Sequence, residues 1–189
     1  MRRSRILAPL MLGMGLLGIA APSFAADTTV APPRNGSHDF DFVFGTWHTH
    51  THRYKNALSA HPTVIELDGT VTVRRVWGGK AALEEIEADG PDGHWQGMTL
   101  FLYNPDTRQW SQSFANSSQS VLQPPTIGAF KGGRGALYAQ DSIGGRSILV
   151  RSSWSDIRPN SHRYDESYSD DGGQSWKPAF AAELTRIKP

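Results

Sequence analysis

From Asp39 onward the chain alternates apolar and polar residues in short runs, and turn chemistry separates the runs. The breaks are His61-Pro62, Gly78-Gly79, Gly90-Pro91-Asp92-Gly93, Asn104-Pro105-Asp106, Pro124-Pro125, Gly132-Gly133, Gly144-Gly145, Pro159-Asn160 and Asp171-Gly172-Gly173. No long window sustains the 3.6-residue apolar period of a helix. The pattern predicts an antiparallel meander of nine or ten strands, near 46–55, 63–77, 81–88, 95–103, 108–116, 126–130, 134–141, 146–155, 162–169 and 176–187. Its two ends carry a matching signal. Gly45-Thr46-Trp47 follows the apolar run Phe40 to Phe44, and Leu184-Thr185-Arg186 lies near the far end. A Gly-x-Trp turn opening the first strand, with an Arg of the last strand covering the indole, suggests a sheet closed on itself. The fold class expected is therefore all-β, a single antiparallel closed β-barrel, with Trp47 and Arg186 as structural residues at its closed end.

The first 25 residues stand outside this pattern. Met1 to Arg5 is basic, Ile6 to Ala21 is apolar, and Ser23-Phe24-Ala25 places small residues at −3 and −1. This is a secretory signal peptide, cut after Ala25. Residues 26–38 are Pro-, Thr- and Asn-containing with little apolar content and read as a flexible lead-in, so the barrel domain is expected over 39–189. Export to the periplasm or beyond the cell is the expected location, with no membrane span after cleavage.

Composition narrows the chemistry. The absence of cysteine removes disulfides, thiolate nucleophiles and cysteine metal sites, so stability has to come from a packed core. Loss of the three leader arginines leaves 16 basic against 18 acidic residues, a net charge of −2, which does not suggest a nucleic-acid partner. There is no Gly-x-Ser-x-Gly elbow. Gly132-Gly133-Arg134-Gly135 lies between two strands and reads as a hairpin turn, not a dinucleotide loop.

The stretch FDFVFGTW, Glu66-Leu67-Asp68-Gly69-Thr70, Tyr103-Asn104-Pro105-Asp106-Thr107-Arg108-Gln109-Trp110, Gly145-Arg146 with Val150-Arg151 and Trp154-Ser155-Asp156, and Ser169 to Trp176 through Thr185-Arg186 together resemble a bacterial family of lipocalin-like, calycin-type domains of unknown function. The resemblance runs from about Asp39 to Arg186. It implies a lipocalin-like barrel, and carries no activity with it. By shape the chain is also distantly similar to nitrobindin-type haem barrels, which share the Gly-x-Trp opening and hold haem through a histidine near the C-terminus. Trp176 to Ile187 contains no histidine, so neither haem nor any other cofactor is expected. Ser169 to Trp176 further resembles the Asp-box of sialidase propellers. A single copy reads as a hairpin in which Asp171 accepts backbone N–H bonds and Trp176 packs beneath.

Residues two apart on a strand share a face, so the Trp and Leu anchors mark the interior. On this parity Thr49, Thr51 and Arg53 follow Trp47 inward, while His48, His50 and His52 face out. Ile65, Leu67, Val71 and Val73 face in. So do Trp110, Gln112, Phe114 and Asn116, then Tyr138 and Gln140, then Ile148, Val150, Ser152 and Trp154, and finally Tyr164, Glu166 and Tyr168. Trp77, Trp95 and Trp110 are read as core residues. An aromatic interior with a few polar groups is the lining of a small-molecule pocket, with Arg53, Gln112, Asn116, Tyr138, Tyr164, Glu166 and Tyr168 as ligand-binding candidates. Glu166 is the best catalytic candidate, because an inward carboxylate between two tyrosines has to be paired, hydrogen-bonded or protonated. Arg53 is its possible partner.

His48-Thr49-His50-Thr51-His52 has the i, i+2 spacing at which two histidines on a strand can share one metal. Parity sends that stripe to the outer wall, so no metal site is expected; His48 and His50 are the alternative. The functional expectation is a secreted protein that binds a small apolar or aromatic molecule inside the barrel. The alternative is a cofactor-independent isomerase, cyclase or hydrolase using Glu166 with Arg53, Tyr164 or Tyr168. A solidly packed barrel would exclude both, and a cavity volume separates these cases.

Overall fold

A computed structural model describes residues 35–188; the expected signal peptide over residues 1–25 and most of the expected lead-in lie outside them. The described chain is all-β. Its strands are β1 (Gly45–Lys55), β2 (Thr63–Val76), β3 (Ala81–Gly90), β4 (Gly93–Asn104), β5 (Gln109–Asn116), β6 (Thr126–Lys131), β7 (Arg134–Ile143), β8 (Arg146–Arg158), β9 (Ser161–Ser169) and β10 (Lys177–Lys188). They form a closed antiparallel barrel in which each strand pairs with its sequence neighbours and β10 returns to β1. Every strand lies within three residues of its expected position, because Gly and Pro turns terminate ladders wherever they occur.

The apolar run before β1 supplies the plug. Asp41–Val43 forms one turn of 3₁₀ helix across the barrel end, and Phe40, Val43 and Phe44 are buried. Phe40 is the hub: its ring centroid lies 4.8 Å from Phe101, 5.0 Å from Trp110, 4.9 Å from Phe130 and 4.8 Å from Trp154, mostly edge to face. Gly45 leaves the plug at φ 115°, a region that favours glycine, and this turn aims Trp47 into the core.

The Arg186 guanidinium lies 3.9 Å from the Trp47 ring centroid. It donates to the carbonyls of Phe44 (2.7 Å), Phe42 (2.9 Å) and Pro159 (2.8 Å), while the Trp47 indole donates to Val43 O at 2.7 Å. One side chain thus satisfies three carbonyls that have no strand partner, and shields the indole. Asn35 to His38, expected as the end of the lead-in, belong to the same end: Trp110 Nε1 donates to Gly36 O at 2.9 Å, and the Tyr103 hydroxyl donates to Asn35 O.

Two details shape the wall. Gly69 in β2 faces β3 so closely that an added Cβ would run into the Glu87 carbonyl and sit 2.6 Å from Ala88 Cα, which is a physical reason for glycine at this position of β2. Between β5 and β6 only three residue pairs form, from Trp110↔Gly128 to Gln112↔Thr126. Beyond them the Gln123 N–H donates to the Phe114 carbonyl at 2.8 Å, so the connection 117–125 continues along the end of β5 where β6 does not reach. Trp77 is a correction to the expected core: it sits at φ 51° in the turn Trp77–Gly79 and is 72% exposed. The Ser169 to Trp176 hairpin follows the expected logic. Asp171 accepts from Ser169 Oγ (2.7 Å), Ser175 N (2.9 Å) and Ser175 Oγ (2.6 Å), which holds its carboxyl well below the usual range, and Gly172 and Gly173 take positive φ.

Candidate functional site

Between the plug and the opposite end the barrel encloses a cavity of about 250 Å³. This is just under the ~300 Å³ at which ordinary ligand pockets begin, and it is enough to show that the barrel is not packed solid. Phe101, Trp154, Val71 and Leu184 form the inner part of its wall, and Trp95, Phe114 and Phe180 add further aromatic surface. Trp95 and Phe114 stack at 6.0 Å; Gly97 beneath them has no Cβ, which would otherwise strike both rings. Trp95 is therefore a cavity residue and not a core one.

Six of the seven expected ligand-binding candidates, Arg53, Gln112, Asn116, Tyr164, Glu166 and Tyr168, lie on this wall. Tyr138 does not. It is 49% exposed on the outer surface, 6.1 Å from Trp176, whose other contact is the Arg151 guanidinium at 4.3 Å. The inward residue of β7 is Leu137, fully buried, so the parity of that strand is opposite to the one the aromatic suggested. Gln140 goes outward with Tyr138 and is exposed.

The polar groups on the wall form small networks. Tyr168 donates to Glu166 Oε1 at 2.8 Å. The Tyr164 hydroxyl lies 3.3 Å from both Glu166 Oε2 and Ser152 Oγ, with one proton between two acceptors. Removal from bulk water raises the Glu166 carboxyl above its ordinary value, against the lowering effect of the two tyrosine hydrogen bonds. No ion pair joins Arg53 to Glu166 among the described residues; Arg53 is exposed at the cavity's outer rim. Thr126 donates to Gln112 Oε1 at 3.2 Å, which leaves the Gln112 amide nitrogen free of that bond.

Two further groups complete the site. Glu84, on β3, accepts from Thr99 Oγ1 at 2.7 Å, and desolvation pushes its carboxyl up to about 7. What exposure it has is to the cavity and not to bulk solvent, so the cost of charging it is that of a buried acid. Its inward direction follows from β3, where Ala82, Ile86 and Ala88 share its face. His162 lies one position below Tyr164 on the inner face of β9, stacked edge-on against Trp47 at 4.5 Å and Phe42 at 5.0 Å. Its Nδ1 has no hydrogen-bond partner among the described residues, and burial followed by the Arg186 charge lowers the imidazole to about 4. It is neutral at neutral pH.

The histidine stripe is on the outside. His50 Nδ1 lies 3.1 Å from Asp68, His48 Nε2 3.7 Å from the same oxygen, and His52 Nε2 3.5 Å from Glu66. The Asp68 hydrogen bond raises the His50 imidazole. Ligating atoms of His50, His52 and Glu66 fall within 4.8 Å of one another, so these three form a group around which a surface metal could gather, beside the His48 and His50 pair that shares Asp68.

No protein-family model and no curated protein sequence matches the chain. Solved structures match in fold. The S-type phycobiliprotein lyase CPES from Guillardia theta is 13% identical with a TM-score of 0.51, over 79% of this chain and 91% of that one. A redesigned β-barrel, mFAP0, bound to DFHBI is 12% identical with a TM-score of 0.43, over 77% and 99%. A de novo designed fluorescence-activating β-barrel is also 12% identical, with a TM-score of 0.42 over 77% and 94%. The likeness to the lyase is one of fold.

Proposed function

We propose that this protein is an exported, lipocalin-like barrel that binds a small apolar or aromatic molecule in its interior. The observation that carries the reading is the cavity of about 250 Å³, walled by aromatic rings and converging on Glu84, Gln112, Tyr164, Glu166 and Tyr168. Apolar walls supply affinity through burial, and a few fixed polar groups supply orientation. The leader sequence supports export, and the likeness to a lyase of the same architecture is compatible with a ligand-holding barrel. Native mass spectrometry of protein purified from its own periplasm or medium should show a stoichiometric small molecule that leaves on denaturation. N-terminal sequencing of the same sample should begin at Ala26.

A second reading has one specific observation behind it. Two carboxyl groups with raised proton affinity face the same cavity, a property that general acids and bases share. A cofactor-independent enzyme using Glu166 or Glu84 would have that property. Glu166→Gln separates the readings, because it keeps size and hydrogen bonding while removing proton transfer. In a binder it should cost only part of the affinity. In an enzyme it should keep binding and lower turnover by ~10²-fold or more.

A further inference from the structure

Resting on the binding reading, we infer that the ligand is an organic cation: an aromatic or apolar body carrying a protonated amine that seats between Glu84 and Glu166. The sign of charge inside the cavity is the basis. Glu84 comes from β3 and Glu166 from β9, and both line the same cavity, so the two acids address one interior. Their protein partners are all hydroxyl groups: Thr99 for Glu84, Tyr164 and Tyr168 for Glu166. Hydroxyls donate hydrogen bonds but carry no positive charge, so neither carboxylate is neutralised by the protein. Glu84 Oε2 has no hydrogen-bond partner among the described residues. A buried carboxylate without a cation is costly unless something brings the missing charge.

The remaining charged and titratable groups on the wall do not bring it. Arg53, from β1, sits at the outer rim; its charge is felt at Tyr168, but it forms no ion pair with Glu84 or Glu166 among the described residues. His162, from β9, is held neutral by burial among Trp47 and Phe42. Tyr164 and Tyr168 stay protonated, their phenols pushed up by desolvation. The strands β2, β4, β5, β8 and β10 contribute no charged side chain to the lining. Outside the cavity, Asp141 on β7 adds only negative potential at Glu166. An anionic ligand would meet this field unfavourably, and a neutral one would leave the two acids to be neutralised by protonation. An ammonium group instead donates to the open carboxylate oxygens through charge-assisted bonds, while its organic body lies against Trp154, Tyr164 and Phe180, whose ring faces also favour cations. Arg53 at the rim then repels a second cation and leaves the outer end of the ligand neutral or acidic.

The test uses three probes of one shape on the untagged, leader-free protein: 2-naphthylmethylammonium, 2-naphthalenemethanol and 2-naphthoate, titrated by calorimetry at pH 8. The ammonium should bind about tenfold or more tighter than the alcohol, the increment of a charge-assisted contact, and the carboxylate should bind weakest. Its affinity should rise between pH 6 and 8, as Glu84 gives up its proton, while that of the alcohol stays level. Glu84→Gln and Glu166→Gln, each verified as folded by circular dichroism, should each shrink the ammonium preference. If the alcohol binds as well as or better than the ammonium to the unmodified protein, the cation inference is overturned and small-molecule binding stands. If none of the three probes binds at millimolar concentration, the binding reading fails with it.

Discussion

Glu84 and His162 pull the pH dependence of stability in opposite directions. Folding raises Glu84 from 4.5 to about 7, so its contribution is complete below pH 4.5 and is lost as pH rises towards 7. Folding lowers His162 from 6.5 to about 4, so its contribution is complete above pH 6.5 and is lost as pH falls towards 4. Glu166 adds to the Glu84 direction. Over pH 4.5–6.5 the slopes offset one another in the intact protein. Glu84→Gln should unmask His162, so that urea denaturation shows stability falling on acidification by up to about 3 kcal/mol more than in the parent. His162→Phe should do the reverse, losing stability as pH rises through the same range. If both variants keep the parent's pH profile, these two groups are not the buried, shifted residues described. At the same scale, Tyr138 illustrates how one side chain misleads. A tyrosine suggested an inward face, yet Leu137 beside it holds that face and Tyr138 meets Trp176 outside.

At the scale of elements, the closed end and the β5–β6 seam are the extremes of stability. Arg186→Ala removes three hydrogen bonds to otherwise unpaired carbonyls and the cover of Trp47. It should cost about 2–4 kcal/mol in thermal or urea unfolding, with little change in affinity for a ligand bound at the other end. Equal loss of both would place Arg186 in the binding site. Gly69→Ala should cost about 1–3 kcal/mol, because β2 or β3 has to move to admit the methyl group. The seam lies at the other limit. Three residue pairs hold β5 to β6, so hydrogen exchange should be faster in residues 113–116 and 139–143 than along the full-length β1–β2 ladder. Exchange of equal protection there would mean that the connection 117–125 closes the wall as firmly as a strand. Glu84 was legible at this scale too. The alternation Ala82, Glu84, Ile86, Ala88 marks it as inward, but the adjacent Glu85 and Glu87 give the segment the look of a solvated, acidic strand.

For the whole molecule, the cysteine-free chain has no disulfide cross-links, and the aromatic plug is the centre of its packed core. Dialysis against a chelator should leave the melting temperature unchanged, since His50, His52 and Glu66 are on the outer wall and no buried side chain depends on them. A drop in melting temperature on chelation would assign that cluster a structural metal. The sequence by itself determined an antiparallel meander of nine or ten strands, their order and the Trp47–Arg186 end, because turns, period-two alternation and an aromatic plug are local signals that survive translation into any register close to the native one. It also placed Arg53, Gln112, Asn116, Tyr164, Glu166 and Tyr168 on the inner face. Only the tertiary structure decided that these residues share a cavity with Glu84 and that Arg53 stays at the rim while Tyr138 lies outside. Those outcomes depend on closure. Bending the sheet into a ring brings β3 and β9 to face one interior and cuts their carboxyls off from bulk water, and neither the meeting nor the desolvation is a property of any single strand.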